Sequence, residues 1–137
     1  SNRMLNIRNF SDLVDMAKDG NLSNVDLSIG DISHGDVAGL TKETTASNFG
    51  KISDLASKAD IALGIINLVF QTIGMLAVFA SRNEKVSDVV LTGNLTNVPQ
   101  ARAIFDGLTK LFNVNFHIPL HAEYATAAGA ALSSPEK

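Results

Sequence analysis

Cysteine is absent from this sequence of 137 residues. That excludes disulfides, thiolate zinc sites, iron–sulfur clusters and cysteine nucleophiles. Tryptophan is absent as well, and Tyr124 is the single tyrosine, which argues against an aromatic platform for stacking bases. Charge is scarce: Asp, Glu, Lys and Arg make up 18% of the residues, against about 25% in a typical domain. Eleven Lys and Arg stand against fourteen Asp and Glu, a formal charge of −3. No cationic cluster stands out along the chain, so a nucleic-acid surface is not expected. Neither a Gly-x-x-x-x-Gly-Lys loop nor a Gly-x-Gly-x-x-Gly turn occurs, which removes two familiar phosphate cradles. Apolar residues are plentiful at 45%, and the length fits one domain with a real core.

The opening Ser1-Asn2-Arg3 before Met4 reads as a scar left by a cleaved tag, leaving a single lobe over residues 4–132 and a polar tail over 133–137. No basic segment followed by an apolar one opens the chain, so no secretory signal is visible and a cytoplasmic protein is expected. Residues 61–80 (IALGIINLVFQTIGMLAVFA) carry no charge, and about 20 apolar residues suffice to cross a bilayer. Asn67, Gln71 and Thr72 fall at successive turns of this run, where hydrocarbon would leave their polar groups costly. Mixed charge flanks both ends, with Lys58 and Asp60 before and Arg82, Glu84 and Lys85 after, so no orientation signal exists. The expectation is a helix buried on all sides and no membrane partner. Gly64 and Gly74 within it are expected to mark the close approach of another backbone.

Elsewhere the periodicity alternates. Phe10, Leu13, Val14 and Ala17 predict a short amphipathic helix behind Asn9 or Ser11, closed by Gly20. Val25, Leu27 and Ile29 alternate with polar residues, predicting a strand within 22–32. Residues 33–42 read as a loop, and Phe49, Ile52, Leu55 and Ala56 resume a helical period. The long helix covers 59–82. Residues 88–92 (DVVLT) predict a strand buried on both faces. A helix over 98–112 follows, with Asn97 as N-cap and Pro99 in its first turn. Val114, Phe116 and Ile118 predict a further strand, and residues 123–132 an Ala-rich helix suited to tight packing. Strand–helix–strand–helix in this order predicts parallel pairing and an α/β class.

Residues with possible chemistry are few. The turn at Gly93-Asn94 ends a strand and starts a helix, where open α/β sheets bind ligands. His117 and His121 have helical spacing, but Pro119 between them argues for loop histidines rather than metal ligands. Ser33-His34-Gly35-Asp36 sets three triad residue types side by side, although triads are assembled in space. Asp26, Asp31, Glu43 and Asp54 are acid–base candidates that pattern does not rank.

Three stretches, in this order, resemble the carboxyl-terminal half of type II pantothenate kinases. Thr44-Thr45-Ala46-Ser47-Asn48-Phe49-Gly50 is similar to that family's Ala/Ser-rich loop ending in Phe-Gly. Val89-Val90-Leu91-Thr92-Gly93-Asn94-Leu95 is similar to its strand and Gly–Asn/Ser turn. Tyr124-Ala125-Thr126-Ala127-Ala128-Gly129-Ala130 is similar to its terminal aromatic and Gly-Ala helix, with Thr126 departing where relatives often have Gly. Asp12-Leu13-Val14-Asp15-Met16-Ala17 and the Asp31-Ile32 pair also fit.

The resemblance implies a partial ribonuclease-H-like lobe of the actin-like, acetate and sugar kinase superfamily. It implies an ATP- and Mg-dependent transferase that phosphorylates pantothenate on the way to coenzyme A. The phosphate-binding turns and the catalytic carboxylate of that family lie in the earlier half, so no catalytic residue carries over and this chain alone is expected to be inactive. Gly93 and Asn94 match a turn near the adenosine end of ATP. Ala46, Asn48 and Phe49 match a loop near the pantothenate or acyl-coenzyme A pocket, and Tyr124 matches the family's aromatic position. The resemblance further implies a homodimer, whose central helices correspond to the long apolar helix over residues 61–80 and to residues 98–112. A non-catalytic dimerisation or coenzyme A-sensing module, or the lobe of a sugar kinase, stands as the alternative.

Overall fold

The computed structural model describes residues 7–33, 37 and 39–133. His34, Gly35 and Asp36 of the Ser–His–Asp run, the start at Met4 and most of the polar tail lie outside them. The chain is mixed α/β, with two small sheets and one long helix, and it divides into two compact units at Val69 and Phe70.

In the first unit, helix α1 (Phe10–Met16) is capped by Asn9, whose side chain accepts the Asp12 amide proton at 2.9 Å. The strand expected across residues 22–32 shrinks to β1 (Leu27–Ser28), preceded by a 3-10 turn and followed by the single helical turn α2 (Ile29–Ile32). The reason is local. Asn21 accepts from Ser23 N at 3.0 Å, and Asp31 accepts from Ser28 N at 2.9 Å. Short polar side chains that bond nearby backbone compete with the sheet ladder. Strand β2 (Thr45–Ser47) pairs antiparallel with β1, Leu27 opposite Ser47 and Ser28 opposite Thr45.

The helical period expected from Phe49 onward does not form. Phe49 takes the left-handed region at φ 55°, Lys51 N binds Val25 O at 3.0 Å, and Ser53 Oγ accepts from Leu55 N at 3.3 Å. Those bonds commit residues 48–56 to turns and irregular backbone and leave Leu55 in solvent.

Helix α3 (Lys58–Glu84) starts in this unit. Ser57 and Asp60 cap its start reciprocally: Ser57 N donates to Asp60 Oδ2 at 2.9 Å and Asp60 N to Ser57 Oγ at 3.1 Å. Asp60 also accepts from Asn21 N at 2.7 Å and from Asn24 Nδ2 at 3.1 Å. Ala62 and Ile66 are buried, as are Leu13, Ala17 and Val25 of the same unit, while Leu68 and Val69 are exposed.

In the second unit α3 continues to Glu84 and ends in a Schellman motif. Val86 N donates to Ser81 O at 2.9 Å and Lys85 N to Arg82 O at 3.3 Å, with Lys85 left-handed at φ 57°. Phe70, Gly74, Val78 and Ser81 are buried, whereas Leu76 and Phe79 are exposed. The helix is therefore one-sided among the described residues, which corrects the expectation of burial all round. Its polar positions explain part of this, since Asn67 and Ser81 face inward with partners of their own.

Strand β3 (Asp88–Val90) pairs parallel with β4 (Asn115–His117) through helix α4 (Pro99–Phe112), as expected for a strand–helix–strand unit. The strand is not buried on both faces: Asp88 and Val90 are exposed, because this sheet has two strands and α4 covers one side. Val98, not Asn97, is the N-cap of α4. Proline keeps the residue before it extended, and Val98 holds φ −72° and ψ 120°. Ala101, Phe105 and Leu108 form the buried stripe of α4, and the Phe105 ring meets those of Phe70 and Phe116 at 5.7 and 5.0 Å between centroids. The Ala-rich α5 (Ala125–Leu132) buries none of its residues, and nothing lies within 4 Å of where a Gly129 Cβ would stand, so the tight packing expected of it is corrected. High alanine content makes a helix without requiring a neighbour.

Gly64 and Gly74 do admit close neighbours, but these are side chains rather than another backbone. A Cβ at Gly64 would stand 3.0 Å from the Phe49 ring and 3.1 Å from Val25 Cγ2, and one at Gly74 would overlap Leu108 Cδ1. Backbone contact occurs instead at Gly20, where a Cβ would overlap the Ala59 carbonyl oxygen.

Two outcomes follow from these contacts. Gly20→Ala must push the start of α3 away and is expected to destabilise the chain by about 1–3 kcal/mol. Gly107→Ala has nothing within 4 Å of its new methyl and should stabilise α4 by about 1 kcal/mol; urea midpoints of both variants check the opposite signs. The second outcome concerns acid. The Asn21 and Ser57 backbone amides hold the Asp60 carboxyl at about 2, below its ordinary 3.8. A lowered carboxylate stabilises the fold above its unfolded pKa and ceases to as pH falls through the folded one. Stability should therefore drop between pH about 4 and about 2, and Asp60→Asn should flatten that limb in urea titrations across the range.

Candidate functional site

The polar centre of the first unit is Asp26. It follows Val25, whose side chain fills the core, and at 3% exposure its carboxylate is buried with it. Burial of a carboxylate demands donors on both oxygens, and two segments supply them. Phe49 N donates to Oδ1 at 2.8 Å. Asn67 Nδ2, from α3, donates to Oδ2 at 2.8 Å, with Asn48 Nδ2 at 3.5 Å from the same oxygen. Asn67 Nδ2 also lies 3.4 Å from Thr45 Oγ1. The stretch from Thr45 to Phe49 is thus fastened to α3 through one carboxylate, and the Phe49 ring seals it against Gly64.

Beside this centre a cleft of about 410 Å³ is lined by Asn21, Leu22, Ser23, Asp26, Ser28, Gly30, Lys42, Glu43 and Thr45. Asp31 is not in that lining, but it accepts from the amide and the hydroxyl of the lining residue Ser28. The Lys51 ammonium, 2.6 Å away, and the Ser28 amide and hydroxyl hold its carboxyl at about 2. A carboxylate that acidic is a poor proton acceptor near neutral pH. Of the four acid–base candidates, Asp26 is occupied by donors and Asp31 by a cation; Glu43 lines the cleft and Asp54 lies in the turn before α3.

In the second unit Gly93 occupies φ 100°, a region open to glycine. Its amide donates to Ala122 O at 2.9 Å, and Thr96 Oγ1 and N return to its carbonyl at 2.7 and 3.1 Å. The first of these bonds brings the Gly93-Asn94 turn against the 3-10 turn Ala122–Tyr124, so Gly93, Asn94 and Tyr124 belong to one neighbourhood. Asn94 and Tyr124 are exposed, and the His121 ring lies 6.5 Å from that of Tyr124. His117 points elsewhere: its Nε2 is 2.8 Å from Asp88 Oδ1, which also accepts from Asn115 Nδ2 at 3.1 Å. The His117 and Asn115 side chains lower the Asp88 pKa.

The predicted site residues therefore fall into two groups. Ala46, Asn48 and Phe49 lie on or just after β2 in the first unit. Gly93, Asn94 and Tyr124 gather in the second. Sequence pattern did not single out Asp26 from the other acids, and it read Asn67 only as a polar interruption of an apolar run. The signal was present in the pairing of an uncommon amide in that run with an acid between apolar neighbours.

The family model described as Fumble matches residues 1–132. The chain is 30% identical over 128 residues to a type II pantothenate kinase of Oceanobacillus iheyensis, covering 91% of this chain and 49% of that protein. It is 26% identical over 134 residues to the type II pantothenate kinase of Bacillus cereus ATCC 10987, covering 95% and 48%. A type II pantothenate kinase of Bacillus anthracis matches at 28% over 117 residues, covering 82% and 42%. The chain spans about half the length of the curated relatives it matches, and the matched stretch is their carboxyl-terminal part. With almost its whole length under one family model, the chain belongs to the Fumble family.

Proposed function

We propose that this chain is the carboxyl-terminal lobe of a pantothenate kinase, a transferase that moves the terminal phosphoryl group of ATP to the hydroxyl of pantothenate. The observation that carries the reading is the family match over residues 1–132 together with relatives of that name. In this reading the two small sheets and the long helix are part of a ribonuclease-H-like lobe, and the protein works in the cytoplasm at the entry to coenzyme A synthesis.

The Gly93-Asn94 turn receives the nucleotide. Its backbone conformation is available to glycine without cost, and open space surrounds the position of the missing side chain. Ala46, Asn48 and Phe49 line the acceptor or acyl-coenzyme A side in the first unit, and Tyr124, with its exposed ring, is assigned a substrate contact in the second. The exposed Leu76 and Phe79 on α3, 64% and 58% accessible, are the surface for a second copy of the chain. The magnesium that accompanies ATP travels with its phosphates, and no residue of this lobe is proposed as its ligand. Phosphoryl transfer needs positioning and charge stabilisation around the phosphates. This lobe supplies binding surfaces for those ends of the substrates that do not react.

Two measurements test the reading. ADP release with pantothenate and Mg-ATP should be seen with the complete gene product and should be absent from the chain of 137 residues alone; a complete product that is folded and silent with pantothenate would sink the proposal. Within an active product, Gly93→Val forces a β-branched residue to φ 100°. It should raise the KM for ATP about tenfold or more while leaving that for pantothenate within about twofold.

A further inference from the structure

We infer that Asp26 is the positioning residue of the segment carrying Ala46, Asn48 and Phe49, acting through a hydrogen-bonded clamp completed by Asn67. The inference rests on the reading of that segment as a ligand-binding loop, and the clamp itself rests on geometry.

Phe49 is a bulky residue held at φ 55°, where a non-glycine residue is strained and persists only when its surroundings over-determine it. The surroundings here are identifiable. The amide that this conformation turns inward donates to Asp26 Oδ1 at 2.8 Å, and the ring it turns aside packs against Gly64. The other oxygen of Asp26 is held by Asn67 Nδ2 at 2.8 Å, and Asn67 is 2% exposed. Neither group has water as an alternative partner at such burial, so the carboxylate has one orientation and imposes it on the loop. Asn48 Nδ2 at 3.5 Å marks the looser end of the same clamp. Asp26 does not touch a reacting atom in this scheme. It fixes the backbone from which Ala46, Asn48 and Phe49 present themselves.

The clamp has a donor and acceptor polarity that a swap can test. Asp26→Asn keeps an oxygen for the Phe49 amide but turns an NH2 group toward Asn67 Nδ2, so either donor faces donor or the Asn67 amide flips and gives up its contact with Thr45 Oγ1. Asn67→Asp added to it restores complementarity, because the amide at position 26 then donates to a carboxylate at position 67, which can also accept from the Thr45 hydroxyl.

The test uses the complete gene product, reading amide hydrogen exchange of the 45–51 segment by mass spectrometry and the KM and kcat for pantothenate. Asp26→Asn should speed exchange of that segment by about tenfold or more, and raise KM about tenfold with kcat within about twofold. The double variant should return both toward the parent. Unchanged exchange in Asp26→Asn overturns the clamp, as does a folded double variant that exchanges as fast as the single one. Faster exchange with an unchanged KM overturns the positioning role. Should Asp26→Asn fail to fold, recovery of fold and protection in the double variant supports the clamp, and failure of both overturns it. Should the parent protein not phosphorylate pantothenate, the kinase reading falls, while the exchange arms still decide whether Asp26 positions the loop.

Discussion

A buried carboxylate needs every one of its strong acceptor sites answered, and in the first unit that demand organises the fold around Asp26. The Phe49 amide, the Asn67 side chain and, at longer range, the Asn48 side chain converge on it from segments far apart in sequence. Removing a buried partner costs more than the bond is worth, since the remaining charge keeps its desolvation penalty. The clamp thereby sets where β2 ends, why Phe49 turns left-handed, and which face of α3 looks inward. The apolar contacts of Val25, Ala62 and Ile66 supply the bulk of the driving force. The polar contacts choose among the ways those residues could pack.

The second unit solves a different problem. Its parallel pair of strands is short, with three residues in each, and a two-stranded sheet is marginal without a covering layer. Helix α4 provides one, laying Phe105 against Phe70 and Phe116 and fitting Leu108 into the space left at Gly74. The Gly93 turn then inherits its place from the end of β3 and from its bond to Ala122. Nothing comparable covers α5 or the outer side of β3 among the described residues.

Legibility in the sequence followed the range of the interactions. The second half was readable because its elements are regular: α4 shows a clean stripe, Pro99 marks its first turn, and the alternation at Val114, Phe116 and Ile118 found β4. Even there Val98 rather than Asn97 became the cap, because a proline restricts its predecessor more strongly than a side-chain bond attracts. The first half misled where local polar bonds broke the period. Residues 22–32 alternate like a strand, yet Asn21, Ser28 and Asp31 spend their side chains on nearby backbone and cut it short. The long helix was found, but apolar count alone could not separate its buried Phe70 and Val78 from its exposed Leu76 and Phe79. For the candidate site, the family-like segments were visible as strings. Their fastening to Asp26 was not, since that contact spans separations of 23 and 41 residues.

Those separations have a kinetic meaning. Closing a chain segment costs entropy that grows with its length, and bonds between distant residues form only after the intervening chain has been gathered. In the first unit one carboxylate closes two such segments, through a Phe49 bond that holds the turn and a separate Asn67 bond that holds α3. Brief opening of the 45–51 stretch breaks the first and leaves the second in place, so the turn can open locally while Asp26 stays fastened to the helix.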